Sequence, residues 1–333
     1  MSITSQFKTR ISGVGSYLPE KVLTNYDLEK LVDTSHDWIV QRTGIVSRHQ
    51  VAPGENTSDL VVKAAERALK DANLTAQDLD LIIVATISGD HRMPATACLV
   101  QTKLGARNVM AFDLSAACTG FVYALHVADQ FIKTGVYKNI LIAGAETLTK
   151  LINYKDRETC ILFGDGAGAM IVSRTSSTDE NVLLSSHCHA EGAHSELLWF
   201  EAGGTKIPFS QEVLDSGQHF MKMKGKEIFK QATRAMSAAC YEALDAAGKT
   251  PADLDWIVPH QANLRITEAV ANQFEFPMDK IVSTVHETGN TSAASVPIAF
   301  DMAYRDGRIK RGQLILLTAF GSGLTSGSAL LRF

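Results

Sequence analysis

A stretch of this chain occurs twice, and that repeat constrains the fold more than any other feature. Residues 64–84 align with residues 239–259 at a constant offset, with identities at Ala68/Ala243, Leu69/Leu244, Ala72/Ala247, Thr75/Thr250, Asp78/Asp253, Leu79/Leu254, Asp80/Asp255 and Ile82/Ile257. In each copy helical periodicity gives way to a Thr plus acidic turn and then to a short apolar run of strand character. Asn139 to Glu146 matches Gln313 to Phe320 at nearly the same offset, and small-residue helices begin near Ala116 and near Ser292. The repeat predicts two similar α/β halves, residues 1–177 and 178–333, joined where Arg174 to Asn181 interrupts the pattern with polar turn formers. Either half alone would expose one apolar face of its sheet. Packed face to face, the two make an α/β/α/β/α sandwich.

Composition removes several function classes. With 333 residues, 45% of them hydrophobic, the chain can bury a large core. A formal charge of −4 leaves no electrostatic footprint for nucleic acid or an anionic membrane. The opening segment lacks the apolar core of a signal peptide and no run of eighteen apolar residues occurs, so the expected location is the cytoplasm. Cys98, Cys118, Cys160, Cys188 and Cys240 are odd in number and show no CxxC spacing, which predicts free thiols. Two ordinary nucleotide-binding domains would also give an α/β repeat. The glycines at 164–168 and 321–327 do not match GxGxxG, and close backbone turns account for them.

Candidate chemistry begins where a reactive side chain interrupts small residues. In Ser115-Ala-Ala-Cys118-Thr-Gly120-Phe121, the cysteine follows a strand-like segment and opens a helix. Unpaired N–H groups at a helix start favour a thiolate, so a lowered thiol pKa and a nucleophilic role are expected, although free cysteines are usually inert core residues. His260 stands in the repeat position of Ala85, where a strand ends, and Asn290 precedes the helix equivalent to that of Cys118. The duplicated topology predicts that Cys118, His260 and Asn290 meet in one cleft. His187, Cys188, His189 and His194 could suggest a metal site, but alternation along a strand fits equally and no fourth ligand is apparent.

GVGSYLPE, DWIVQRTGI, AACTGF, LFGDGAG, ELLWF, VPHQANLRI, GNTSAASVP and the closing FGSGLTSGSALLRF resemble, in order and spacing, the β-ketoacyl-acyl-carrier-protein synthase III family of the thiolase superfamily. The resemblance implies a homodimer of thiolase fold with Cys118, His260 and Asn290 in its active site. It also implies acyl-CoA as primer, malonyl-acyl-carrier protein as extender, and neither metal nor redox cofactor. Cys118 would take up the acyl group, with backbone N–H groups of Cys118 and Ser322 as oxyanion hole. His260 and Asn290 would then hold the enolate left by loss of CO₂.

The resemblance further assigns Trp38 and Arg157 to an adenine clamp, Arg42 to a phosphate contact, Asn263 to the pantetheine channel, and Lys230 with Arg265 to carrier-protein docking. Val46, Asn272 and Gln273 stand where relatives often carry basic residues, which implies weaker or altered docking. Phe163 and Phe320 resemble acyl-pocket walls. Met93, Leu324 and Ser326 replace bulkier family residues, so acetyl-CoA ranks only narrowly above longer or branched primers. Thiolysis is disfavoured because Phe320-Gly321-Ser322-Gly323 lacks a second cysteine. An acyl-thioester hydrolase and a non-catalytic subunit remain the alternatives of different class.

Overall fold

The computed structural model describes residues 6–333. Each copy of the repeat folds as the sequence predicts, and its shared residues show why. Thr75 and Asp78, like Thr250 and Asp253, form capping boxes in which the acid accepts the threonine N–H at 2.8 Å in both copies. Asp80 and Asp255 then reach to the start of a neighbouring strand, accepting from Asn139 N–H at 3.0 Å and Leu314 N–H at 2.8 Å. The repeated acids therefore fix the turn and the strand pairing after it.

The first sheet contains β1 (Phe7–Tyr17), β2 (Leu81–Ala85), β3 (Met110–Leu114), β4 (Asn139–Thr147) and β5 (Asp165–Ser176) in the order β1-β5-β4-β2-β3. The second contains β6 (Leu183–Ala190), β7 (Trp256–Pro259), β8 (Leu314–Gly321) and β9 (Thr325–Arg332) in the order β7-β8-β9-β6. Both run parallel from β2 to β4 and from β7 to β8, then antiparallel to the outer strands. The counterpart of β3 shrinks to one parallel bridge between Ile257 and Ile281. The first sheet ends at Ser176 and the second begins at Leu183.

Between the sheets lie α2 (Gly120–Lys133) and α5 (Ser295–Arg305), whose Phe121, Leu125, Val296 and Phe300 share one core with both sheets. Helix α1 (Thr57–Asp71) covers the outer face of the first sheet; α3 (Gly225–Ala246) and α4 (Leu264–Gln273) cover that of the second. These are the five expected layers. The two middle helices are buried almost all round, which is why they carry small and apolar residues where surface helices would alternate with charge.

Each middle helix is entered through a single 3₁₀ turn, Ala117–Thr119 before α2 and Ser292–Ala294 before α5. Ala117 and Ser292 occupy matching repeat positions and share a left-handed conformation, with φ of 46° and 49°. The second turn lies directly on β4: a Cβ added at Gly144 would stand 2.2 Å from Ala293 O. Gly144→Ala should therefore lower stability by about 1–3 kcal/mol, as overpacking does. Gly192→Ala, at a site open for at least 4 Å, should not. Denaturant midpoints measure both, and an unshifted midpoint for Gly144→Ala would contradict the close approach.

Candidate active site

Cys118, His260 and Asn290 lie on the wall of one cavity of about 930 Å³. Each is almost buried, at 5%, 3% and 6% exposure. Three loops bring them together. Cys118 sits in the turn that enters α2, and Gly321 at the end of β8 presses against it: an added Cβ there would stand 2.7 Å from Cys118 N. His260 follows β7 and still donates its backbone N–H to Thr318 O at 2.8 Å, so the ladder itself sets its direction. Asn290 is clamped between the halves, its N–H donating to Leu162 O at 2.9 Å and its carbonyl accepting from Gly164 N–H at 3.0 Å.

Side-chain contacts orient the two donors. Asn290 Oδ1 accepts the Ser292 N–H at 2.9 Å, which leaves the amide nitrogen free to face the cavity. His260 Nδ1 pairs with Ser295 Oγ at 2.6 Å, and that oxygen also accepts the Gln261 N–H at 3.4 Å. With its oxygen receiving one proton, the serine is placed to donate its own to Nδ1, so that Nε2 carries the imidazole N–H. Arg48, fully buried and bonded to Leu23 O, Asn25 Oδ1 and Ile161 O, braces the segment that holds Asn290.

Electrostatics depart from the sequence expectation at the thiol. Burial pushes Cys118 up to about 12, outweighing the favourable contributions of Ser292 and of its own N–H. The helix start does not produce a resting thiolate, because the turn also removes the sulfur from water. Burial likewise pushes His260 down to about 3, which keeps the imidazole neutral. A third group, absent from the sequence reading, is Glu146 at the end of β4. It is wholly buried and burial raises it to about 7, despite hydrogen bonds from Thr86, Ile87 and Ser88.

The mouth of the cavity gathers Trp38, Arg42, Arg157, Asn263 and Arg265, and its interior Phe163, Phe320 and Leu324. Both guanidinium groups lie over the indole, Arg157 at 4.6 Å and Arg42 at 5.1 Å from its centroid. At that spacing each guanidinium makes a cation–π contact with Trp38. Asn263 caps α4, accepting the Ile266 N–H at 3.0 Å.

Four expected residues do not line the cavity of this chain. Met93 is 86% exposed on a loop well outside it. Lys230 is exposed on α3, Ser326 lines a separate shallow depression, and the Ser322 hydroxyl donates to Leu198 O. His187 and His189 both pair with Glu242, while His194 lies near Glu191. Among the described residues no His, Cys, Asp and Glu cluster is arranged to hold a metal, and no helix is long and apolar enough to cross a membrane. All five cysteines are free.

The family model for 3-oxoacyl-(acyl-carrier-protein) synthase III matches residues 112–192, and that for its C-terminal part matches residues 244–333. A β-ketoacyl-(acyl-carrier-protein) synthase III of Caldanaerobacter subterraneus is 51% identical over 323 residues, 97% of each chain. The chain belongs to this family. The crystal structure of the Aquifex aeolicus 3-oxoacyl-(acyl-carrier-protein) synthase III superimposes with a TM-score of 0.90 at 47% identity, covering 98% of this chain and 100% of that one. A priming β-ketosynthase from a polyketide biosynthetic pathway superimposes at 0.91 with 33% identity, covering 99% and 98%. This family member is thus a ketoacyl synthase, an acyl-transferring enzyme of thiolase fold.

Sequence reasoning missed Ser292, Ser295 and Glu146. Two signals were available: a hydroxyl at 292 where the first half has alanine, and a carboxylate closing the otherwise uncharged strand NILIAGAE. From about pH 5 to about pH 9, ¹⁵N shifts of the His260 ring should stay those of a neutral imidazole, since burial holds it far below the ordinary value of about 6.5. A titration midpoint near that ordinary value would show the ring to be solvated.

Proposed function

We propose that this enzyme starts fatty-acid chains by a two-step exchange on Cys118. In the first step the sulfur attacks the carbonyl carbon of an acyl-CoA, and the oxyanion is held by the N–H groups of Cys118 and Ser322. Collapse releases CoA and leaves a thioester on Cys118. In the second, malonyl-acyl-carrier protein loses CO₂, and its enolate oxygen accepts hydrogen bonds from His260 Nε2–H and Asn290 Nδ2–H. The carbanion then attacks the thioester on Cys118, giving 3-oxoacyl-acyl-carrier protein and the Cys118 thiolate, which takes a proton from solvent to restore the thiol.

The observation that carries this reading is the pair of neutral, fixed donors beside a buried thiol. A hydrolase that used His260 to activate water would need a ring that takes up a proton readily. His260, held near 3 by burial, suits donation to a developing oxyanion instead. The arginines at the mouth suit a phosphorylated ligand, with Trp38 and Arg157 at the adenine, Arg42 at a phosphate and Asn263 along the pantetheine arm. Arg265 at the mouth and Lys230 on α3 would receive the acidic carrier protein, with Val46, Asn272 and Gln273 weakening that contact.

Two variants divide the reaction. Cys118→Ala should take up no acyl mass from acyl-CoA; if it does, another residue is the nucleophile. Asn290→Ala should still be acylated yet lose malonyl decarboxylation by orders of magnitude, since one oxyanion donor is worth roughly 3–4 kcal/mol. Equal loss of both steps would contradict the division of labour.

The primer is read from the pocket. Acetyl-CoA ranks first, with longer or branched acyl-CoA close behind, because Phe163 and Phe320 wall the pocket while Leu324 beside them is not an aromatic. Met93, so exposed in one chain, would reach the partner's pocket in a homodimer. Met93→Phe should then reduce kcat/KM for octanoyl-CoA far more than for acetyl-CoA, since each methylene denied burial forfeits about 0.8 kcal/mol. An unchanged ratio in a correctly folded dimer would remove Met93 from chain-length control.

A further inference from the structure

Next to His260 stands a buried amide that the reaction above does not use. Gln261 is 1% exposed, and its side chain reaches across to the segment that leads to Asn290. Its Nε2 donates to Pro259 O at 2.7 Å, on its own loop, and to Val282 O at 3.1 Å; its Oε1 accepts the Thr284 N–H at 2.8 Å and the Val285 N–H at 3.2 Å. Two carbonyls on one side and two N–H groups on the other allow one orientation of the amide, and all four of its hydrogen-bonding positions are filled. Val282 N–H also donates to Ile257 O at 2.9 Å, which ties the start of the same segment to β7. Val285 then opens a short helix, Val285–Thr288, that runs into Gly289 and Asn290. The loop carrying His260 therefore holds the segment carrying Asn290.

The bracing is reciprocal. Beyond Asn290 the same segment supplies Ser295, also 1% exposed, at the first position of α5. Its Oγ lies 2.6 Å from His260 Nδ1 and accepts the Gln261 N–H at 3.4 Å, and it has no other hydrogen-bond partner among the described residues. That inventory decides the tautomer. Were Nδ1 to carry the ring proton, Oγ would accept twice and the serine's own hydrogen would be buried without an acceptor. With Nδ1 accepting, every hydrogen has a place, and Nε2–H is left for the cavity that His260 lines.

We infer that Gln261 and Ser295 are positioning residues for the decarboxylation step, Gln261 setting the separation of the His260 and Asn290 donors and Ser295 presenting the His260 N–H to the enolate. Neither lines the cavity, so each acts through the donors it holds. Two donors aimed at one oxygen must be kept within about 0.5 Å of their productive places, and here they stand on different loops. The Gln261 amide joins those loops. Acylation of Cys118 draws on neither donor and should not depend on the brace.

The inference rests on His260 and Asn290 serving decarboxylation, and a double-mutant cycle tests the two separately. Acyl uptake from acetyl-CoA is read by intact mass, CO₂ release from malonyl-acyl-carrier protein by rate, and the His260 ring by ¹⁵N NMR. The wild type should show the Nε2–H tautomer alone. Ser295→Ala should lower decarboxylation about 10- to 100-fold, leave acyl uptake nearly unchanged and let the Nδ1–H tautomer appear. In a His260→Ala background the same change should cost nothing further, because the ring it positions is gone. Gln261→Met, which keeps the length of the side chain and removes its hydrogen bonds, should lower decarboxylation by a similar factor. If Gln261→Met does not fold, the serine variants decide. A Ser295→Ala enzyme with wild-type tautomer and decarboxylation, one that loses acyl uptake equally, or one in which the change costs as much without the ring as with it, overturns the inference and leaves the donors' role intact. If His260→Ala itself decarboxylates at the wild-type rate, the underlying division of labour falls, and the inference with it.

Discussion

Everything in this site depends on the close approach of two turns at the centre of the molecule. Ala117–Thr119 and Ser292–Ala294 pack together between the sheets, and only small residues allow it. Gly120 brings α2 to where an added Cβ would stand 3.4 Å from Ala293 Cβ, and Gly144 lets β4 pass beneath the Ala293 carbonyl. A larger residue at either point would separate Cys118 from Asn290, since Cys118 lies in one of these turns and Asn290 just before the other. The site is built into the seam between the halves, with its backbone ladders supplying the rigidity that loops alone would lack.

Duplication explains the seam and divides the labour. The two turns share a repeat position and a left-handed residue, yet one carries the sulfur and the other the hydroxyl beside it. At Cys118 the second half has Ala293, and at His260 the first half has Ala85. A symmetric pair of halves would place two identical, mutually redundant groups in the cleft. By varying such positions, the chain keeps the shared geometry of the two halves and fills it with unlike chemistry.

The layers and the meeting of Cys118, His260 and Asn290 in one cavity were legible in the sequence because each follows from periodicity or from a fixed offset. Thr75/Asp78 and Thr250/Asp253 could be recognised as turns because their chemistry is local. Ser295 could not, because its bond to His260 spans 35 residues and depends on how α5 meets β7. The ionisation of Cys118 was misjudged for a related reason. A helix start can be read from neighbours in sequence, whereas the desolvation that overrides it comes from Gly321 and the second sheet, far along the chain.

Burial acts on three titratable groups here, and in each case it favours the neutral form. The thiol is pushed up to about 12, the imidazole down to about 3 and the carboxyl up to about 7. A pocket of this kind resists any resting charge, so the charge that appears during reaction must be met by dipoles already in place. The Asn290 amide, fixed by Ser292 N–H, and the His260 ring, fixed by Ser295, would need no reorganisation to meet the enolate of the proposed reaction.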